Sequence, residues 1–387
     1  GSNAAATRIN SSGLIEKYRE NVLTFSNDFS NAAWLKSAQG AAITPVLTAN
    51  YTTDPFGGND AWRLQCDLNG GTTSSDRSWI YNSFGALALS TISIYVKLNT
   101  EETKNVVFSD SGGGVITLTS TDWVRISDFF VSASGEFRFG LIGGSSSDTL
   151  DCSIAFAQAE TGLVATEYLN STSVTAKAGV LIDLPRINYD ANGENGALLL
   201  EPSRQQLITQ SEYFGGSDWT KSGASVVGGF TSPEGLSNAY KLVEDTSTAP
   251  HRVNSALSFF TAGVYTFKVY AKAGERYKIG LRENAATAFF ATFDLSLGTV
   301  LSTDVSNTSI KAMTDGWYEI SYTFTSGASN INAIYVLDDA YTSGSPEASY
   351  LGDGTSGLYI YGAQFEAGSY ATSYIPNHGT SGGVTRA

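Results

Sequence analysis

The sequence is poor in residue types on which many folds and reactions depend. Its 387 residues include 2 cysteines, 2 histidines and 8 prolines, and 16% of them are charged. Cys66 and Cys152 are too few for a disulfide framework, and we expect two separate buried thiols rather than one bridge. With His251 and His378 as the only histidines, a Ser-His-Asp triad or a multi-histidine metal site has few residues to draw on.

Basic side chains and long apolar runs are scarce as well. The chain has 23 Lys and Arg residues against 37 Asp and Glu residues, which gives a net charge of −14. Without a basic stripe, nucleic-acid binding and a polybasic membrane contact are not expected. The longest apolar runs fall far short of a membrane span, so we expect no membrane insertion.

Glycine and aromatic residues are abundant, with 40 Gly, 20 Tyr and 20 Phe. This composition is typical of strands joined by tight turns. In residues 265–272, apolar and polar side chains alternate with the two-residue period of a half-buried strand, whereas no segment has the period of a long amphipathic helix. The sequence therefore predicts an all-β protein.

The chain contains an internal repeat. Phrases of the first half recur in the same order in the second: residues 21–36 in 206–221, 61–64 in 239–242, 92–97 in 265–272, 122–127 in 316–321, and 157–168 in 363–374. Such order predicts two superimposable antiparallel β-sandwich modules, with Trp34 matching Trp219 and Trp123 matching Trp317 as core residues.

A connector separates the two modules. Two apolar runs flank an Asn-Gly turn at residues 192–193, which is the signal of a β-hairpin. The expected boundaries are a tag and linker at 1–20, a first jelly-roll module at 21–175, the hairpin connector at 176–205, a second jelly-roll module at 206–376, and a flexible tail at 377–387.

Several of these phrases resemble a known kind of domain. They are Val269-Tyr-Ala-Lys-Ala273, Gly316-Trp-Tyr-Glu-Ile-Ser321, Tyr361-Gly-Ala-Gln-Phe-Glu-Ala-Gly368 and Ala371-Thr-Ser-Tyr-Ile-Pro376. They resemble the jelly-roll domains of phage tail and virion-surface proteins, which are similar to concanavalin-like and carbohydrate-binding modules. The resemblance implies a non-catalytic binding or adhesion protein that recognises a glycan or a host-surface polysaccharide. It also implies contact with other virion or tail proteins, on a virion surface or outside the cell.

The sequence leaves two alternatives open. One is a structural spacer or decoration protein of the virion with no ligand, and the other is an accessory or catalytic domain of a glycoside hydrolase. Gly352-Asp-Gly-Thr-Ser-Gly357 has the spacing of a dinucleotide fingerprint, but the next residues alternate as a strand where that fingerprint needs a helix. We expect no enzyme.

The resemblance to carbohydrate-binding jelly rolls implies a structural calcium ion. The repeat places oxygen-bearing side chains near both ends of each module, and hard cations prefer such ligands. The candidate metal ligands are Asp28, Glu160, Glu212 and Glu366. The alternative is that these side chains, with Gln158 and Gln364, hydrogen-bond the backbone at the sandwich edge.

A candidate ligand face lies on one predicted strand of the first module. Arg77, Trp79 and Tyr81 project to the same side of an extended strand, and Arg252 matches Arg77 in the second module. An aromatic face and a fixed donor fork are what sugars require. The alternative is that Trp79 and Tyr81 face the core, with Arg77 at its rim.

Overall fold

The computed structural model of the chain describes residues 4–110, 114–257, 261–283, 289–327 and 330–386. The chain divides into two compact units. Arg19–Ala178 form the first-module unit, whereas Gly1–Tyr18 and Gly179–Ala387 together form the second-module unit. The expected linker at 1–20 and connector at 176–205 therefore fall almost entirely within the second-module unit.

The regular secondary structure of the described residues consists of strands, apart from one 3-10 turn at Thr314–Gly316. The strands up to the connector are β1 (Thr7–Ile9), β2 (Ile15–Asn21), β3 (Trp34–Gln39), β4 (Ile43–Thr52), β5 (Ala61–Asp67), β6 (Arg77–Ser83), β7 (Leu87–Leu98), β8 (Lys104–Ser109), β9 (Val115–Leu118), β10 (Val124–Ala133), β11 (Glu136–Ile142), β12 (Thr149–Thr161) and β13 (Ala176–Gly179). None of the described residues forms a helix long and apolar enough to span a membrane.

The remaining strands belong to the connector and the second module. They are β14 (Ile187–Asn188), β15 (Ala197–Leu198), β16 (Arg204–Gln206), β17 (Trp219–Ser222), β18 (Ala224–Phe230), β19 (Ala239–Glu244), β20 (Thr248–Ala249), β21 (His251–Leu257), β22 (Gly263–Lys272), β23 (Lys278–Glu283), β24 (Phe290–Asp294), β25 (Thr299–Thr303), β26 (Asn307–Ala312), β27 (Trp317–Ser326), β28 (Asn330–Leu337), β29 (Tyr350–Leu351), β30 (Gly357–Ala367) and β31 (Val384–Arg386). The predicted all-β class is confirmed.

The first module is a sandwich of two five-stranded antiparallel sheets. Their orders are β10-β7-β12-β5-β4 and β3-β6-β11-β8-β9. Alternate residues of each strand point inward and form one buried core, which includes Leu64, Ile80, Ile94, Phe137 and Phe139. Cys66 and Cys152 lie in this core as free thiols, as expected.

The second module repeats this arrangement with one additional strand in each sheet. Its orders are β17-β21-β28-β23-β24-β25 and β18-β19-β30-β22-β27-β26. The central strand pairs occur in the same succession as in the first module, because each repeated phrase forms the corresponding strand. The two tandem antiparallel sandwiches are therefore as predicted.

The matched tryptophans show how far the repeat extends. Trp34 Nε1 donates to the Phe25 carbonyl oxygen at 2.9 Å, and Trp219 Nε1 donates to the Gln210 carbonyl oxygen at 2.7 Å. Both rings are buried in their modules. Trp317 is buried as well, but Trp123 is only half-buried, so the second matched pair shares its position and not its environment.

The connector forms the predicted hairpin, in which Ile187 pairs with Leu198. A second hairpin, β1–β2, comes from the segment expected to be a tag and linker. Its Ile9 and Ile15 pack against Tyr270 and other aromatic residues of the second module. Apolar burial therefore makes this segment part of the fold.

Residues 377–386 differ from the flexible tail that was expected over 377–387, of which residue 387 lies outside the described residues. Strand β31 of this segment pairs with β16, and the Arg386 side chain is fully buried. Arg386 Nη1 donates to the carbonyl oxygen and to Oγ of Ser373, and Nη2 donates to the Pro202 carbonyl oxygen. Such hydrogen bonds and burial hold the segment in place, although its composition is polar and glycine-rich.

Candidate ligand-binding site

Strand β6 presents the predicted trio on its outer side. Ile80 points into the sandwich core, and Asn82 Nδ2 donates to the Thr24 carbonyl oxygen on the inner side. The alternating residues Arg77, Trp79 and Tyr81 therefore lie on the opposite face of the sheet, away from that core. The expected common orientation of the three side chains is confirmed.

The Trp79 ring on this face is covered rather than open. Its side chain packs against Val107 and Ile142, and only 5% of the residue is exposed. The guanidinium groups of Arg77 and Arg138 lie 5.2 Å and 5.5 Å from the ring centroid, at cation–π distance. Sequence reasoning placed Trp79 on the correct side of the sheet, but it missed the cover provided by Arg138.

The neighbouring strand is shaped to accept Trp79. Gly140 lies opposite Trp79 in β11, with φ of +153°. A Cβ atom at position 140 would come within 2.5 Å of the Trp79 Cα atom. Glycine is therefore required at this position for β11 and the backbone of β6 to approach so closely.

Arg77 and Arg138 differ in their partners. Arg138 forms an ion pair with Glu136. Arg77 donates from Nε to the Ser74 carbonyl oxygen at 3.0 Å, and in the described part of the chain its Nη1 and Nη2 atoms have no partner. The half-buried Arg77 thus holds an indole on one side and offers two free donor groups at the sheet surface.

Arg252, the counterpart of Arg77, is occupied within the second module. Its Nη1 atom donates to Tyr335 Oη at 3.1 Å and to Glu347 Oε1 at 3.4 Å. Glu347 also pairs with Arg282 at 2.6 Å. The structure therefore does not give Arg252 the free donors that Arg77 has.

A loop explains this difference between the modules. Residues 338–349, between β28 and β29, bring Glu347 to Arg252. The same loop places Pro346 over Gly280, where a Cβ atom added to the glycine would lie 2.4 Å from Pro346 Cβ. The corresponding connection of the first module, between β11 and β12, is only residues 143–148. The second module thus covers part of its own sheet, while the first leaves Arg77 accessible.

The first pair of predicted metal ligands is not brought together as a cation site. Glu160 accepts hydrogen bonds from Thr166 N at 2.8 Å, Thr166 Oγ1 at 2.5 Å and Gln158 Nε2 at 2.6 Å. Burial raises the pKa of the Glu160 carboxyl. Asp28 is exposed, and its Oδ1 accepts from Ser30. These acceptors already have donors, which does not suit a calcium ion.

The second pair is arranged in the same unsuitable way. Glu366 accepts from Thr372 N at 2.8 Å, Thr372 Oγ1 at 2.6 Å and Gln364 Nε2 at 2.8 Å, which repeats the Glu160 arrangement. Glu212 binds the Lys17 ammonium instead. No group of three or more His, Cys, Asp or Glu side chains arranged for a metal is found in the described residues. Asp28, Glu160 and Glu366 follow the alternative expectation, since each accepts a hydrogen bond from a backbone amide, whereas Glu212 does not.

Two further carboxylates line a cavity of about 180 Å³ in the second-module unit. They are Glu201 and Glu319, and each is already engaged. Glu201 lies 3.1 Å from Arg186 and 3.3 Å from Arg386. Burial alone would raise the pKa of Glu201, but its hydrogen bonds from Ser373 and the charges of these two arginines outweigh burial, so the pKa is lowered. Glu319 Oε2 accepts from Tyr270 Oη at 3.0 Å. The lowered pKa of Glu201 is the opposite of what a hydrolytic general acid requires.

An aromatic surface of the first module was missed by sequence reasoning. On the other sheet, the ring centroid of Phe56 lies 5.4 Å from that of Tyr95 and 5.1 Å from that of Phe156, and Phe156 lies 4.9 Å from Tyr168. Phe56 is 64% exposed. The available signal was in the repeat itself, because the position of Phe56 is occupied by Glu234 in the second module.

No protein family and no curated protein matches the chain. Among solved structures, it is similar to the tandem CBM22 domains of Xyn10C from Paenibacillus barcinonensis, at 13% identity over 95% of this chain and 100% of that chain, with a TM-score of 0.31. It is also similar to the tandem CBM51 modules of a family 98 glycoside hydrolase from Streptococcus pneumoniae, at 13% identity over 89% of this chain and 99% of that chain, with a TM-score of 0.23.

A third similar structure is an isomaltodextranase of Arthrobacter globiformis in complex with panose. It is 10% identical over 83% of this chain and 40% of that chain, with a TM-score of 0.25. All three TM-scores lie below 0.5, so we assign no function to the chain from these likenesses.

Proposed function

We propose that the chain is a non-catalytic glycan-binding protein and that its first module binds the ligand through the outer face of β6. The observation that carries this proposal is the free donor pair of Arg77, held in place by the Trp79 ring 5.2 Å away. A planar guanidinium with two free donors is suited to paired sugar hydroxyls, and the stacked ring reduces the conformational entropy lost on binding.

Each member of the predicted trio has a distinct role in this proposal. Arg77 contacts the ligand with its guanidinium, and the half-exposed Tyr81 offers a ring face to the C–H surface of the sugar. Trp79 acts as a positioning residue because it is covered by Arg77 and Arg138. Arg252 contributes to the second module's own structure rather than to binding.

The biological setting belongs to the same proposal. The repeated phrases that resemble phage tail and virion-surface jelly rolls support a place on a virion surface or outside the cell. The expected partners are a host-surface polysaccharide and other virion or tail proteins. The net charge of −14 agrees with this setting, since it keeps a displayed protein from non-specific contact with nucleic acid.

A glycan array tests the proposal. The intact chain is expected to bind one class of glycan, Arg77→Lys to bind it at least about tenfold more weakly because the donor fork is lost, and Arg252→Lys to bind it normally. Arg252→Lys is the matched control, since it alters the corresponding position of the second module.

Two results would contradict the proposal. Equal binding by the intact chain and by Arg77→Lys would remove β6 from the ligand site. No binding by the intact chain to any glycan of a broad array would favour the alternative function, a structural spacer or decoration protein. Circular dichroism of each variant shows whether the fold is retained.

A further inference from the structure

The β1–β2 hairpin covers an aromatic face of the second module. Ile15 packs with Tyr270, Tyr361 and Tyr374, all of which are at most 4% exposed. The backbone amide of Ile15 donates to the Pro233 carbonyl oxygen at 2.9 Å. The hairpin therefore docks through both apolar contact and a backbone hydrogen bond.

Charge fixes the position of this hairpin. Lys17 Nζ lies 2.8 Å from Glu212 Oε1 and 2.7 Å from Glu234 Oε1. Both carboxylate side chains are buried, so the lysine neutralises charge that would otherwise be costly in this face. The docked hairpin and its face are thus complementary in charge as well as in shape.

The first module has a corresponding aromatic face, which no described hairpin of its own unit covers. The repeat matches Tyr95 to Tyr270 and Tyr168 to Tyr374. Both residues of the first module are half-buried, whereas their counterparts are fully buried. In the described part of the first-module unit, this face carries no covering segment over the exposed ring of Phe56.

The loop that anchors the hairpin is also repeated. In the second module, Ser232 N donates to the Leu236 carbonyl oxygen, and in the first module Asp54 N donates to the Gly58 carbonyl oxygen. With these loops aligned, Phe56 takes the position of Glu234. The acidic partner of Lys17 is therefore replaced by an exposed apolar ring.

The connector hairpin β14–β15 shows the complementary replacement. Ile187 pairs with Leu198 in the connector hairpin, and Ile9 pairs with Ile15 in the β1–β2 hairpin. When the two hairpins are aligned on these pairs, Leu200 takes the position of Lys17. These three apolar residues of the connector are exposed: Ile187 by 36%, Leu198 by 55% and Leu200 by 83%. Lys17 contacts Glu234 where the β1–β2 hairpin docks on the second module. The corresponding residues of the connector hairpin and the first module are Leu200 and Phe56, which are both apolar.

We propose that the connector hairpin of one chain docks on the aromatic face of the first module in a second copy of this chain. Leu200 would then contact Phe56 of the second copy where Lys17 contacts Glu234 within the chain. The contact is heterologous, because the two surfaces differ, so it either closes into a ring of copies or continues as a filament. This inference is independent of the proposed glycan site.

Sedimentation of the intact chain over a wide concentration range tests the docking. We expect concentration-dependent association that Leu200→Glu or Phe56→Glu weakens at least about tenfold, since each buries a charge against an apolar surface. Leu297→Glu is the matched control, because Leu297 is 71% exposed in the loop between β24 and β25.

A charge-swap variant makes the test specific. Leu200→Lys combined with Phe56→Glu recreates the pairing of Lys17 with Glu234, so association should recover in this double variant. A chain that is monomeric at every concentration, or association that Phe56→Glu leaves unchanged, would overturn the proposal. If the intact chain did not self-associate and Phe56→Glu lost glycan binding, this face would be a glycan-binding surface. That result would overturn the proposed docking as well.

Discussion

The ammonium of Lys17 lies 2.8 Å from the Glu212 carboxylate, and these residues are separated by 195 positions in the chain. Glu212 also accepts from Tyr374 Oη at 3.0 Å and lies 3.2 Å from His378 Nε2. Burial alone would raise the pKa of Glu212, but Lys17 and His378 lower it well below its usual range. One buried carboxylate therefore joins the start of the sequence, the second module and the last residues.

Removing the Lys17 ammonium should lower the stability of the second-module unit. Lys17→Met is expected to destabilise the second-module unit by about 3 to 5 kcal/mol, because it removes the one ammonium that the buried carboxylates of Glu212 and Glu234 share. Denaturant unfolding followed by circular dichroism measures this change. Arg8→Ala, which breaks the more exposed pair with Glu16, should cost at most about 1 kcal/mol. Equal losses in both variants would contradict the assignment.

Glu160 should give the first-module unit a pH dependence. Burial raises the pKa of its carboxyl in the folded state, so ionisation on raising the pH through the carboxyl range lowers stability. Glu160→Gln removes this loss and retains most of the hydrogen bonds. The variant should therefore gain stability relative to the intact protein between about pH 4 and pH 7. If the free energies of unfolding of Glu160→Gln and of the intact protein differed by the same amount at about pH 4 and about pH 7, Glu160 would not titrate in this way.

The unequal tryptophan pair should respond unequally to the same substitution. Trp317→Ala is expected to cost about 3 to 5 kcal/mol, because the ring is buried among aromatic residues. Trp123→Ala should cost about 1 kcal/mol, since the half-buried ring loses chiefly its Nε1 hydrogen bond to the Thr53 carbonyl oxygen at 3.0 Å. Calorimetry of both variants provides the comparison, and a similar shift in the two would refute the difference in environment.

Chelation is expected to leave stability unchanged. The predicted calcium ligands Glu160 and Glu366 already accept hydrogen bonds from threonine and glutamine side chains, and Glu212 binds Lys17. Melting curves recorded with calcium and with a chelator should therefore coincide. A higher melting temperature in calcium would indicate a site built from other residues, because a bound ion stabilises the folded state.

The last strand should contribute to stability as well. Arg386→Ala is expected to destabilise the second-module unit by about 2 to 4 kcal/mol, because Ser373 and Glu201 lose a buried cationic partner. Thr385→Ala, at the exposed neighbouring position, should change stability by less than about 0.5 kcal/mol. If Arg386→Ala were as mild as this control, residues 377–387 would behave as the flexible tail that their composition suggested.

The repeat and the two-residue alternation were sufficient to predict the all-β class, the tandem sandwiches and the hairpin connector. Alternation is a local property of an extended chain, so it also placed Arg77, Trp79 and Tyr81 on one side of β6 and left Ile80 for the core. The repeat likewise matched Trp34 to Trp219, because equivalent strands bury equivalent rings.

Only the tertiary structure decided which of these surfaces stay open. The loop that brings Glu347 to Arg252, the guanidinium of Arg138 over Trp79 and the docking of Lys17 on Glu212 are all contacts between separate segments. A periodic pattern shows which way a side chain points, but it does not show what lies above it. Whether a face is covered depends on the free energy of burying another segment there, and that segment can be nearly two hundred residues away.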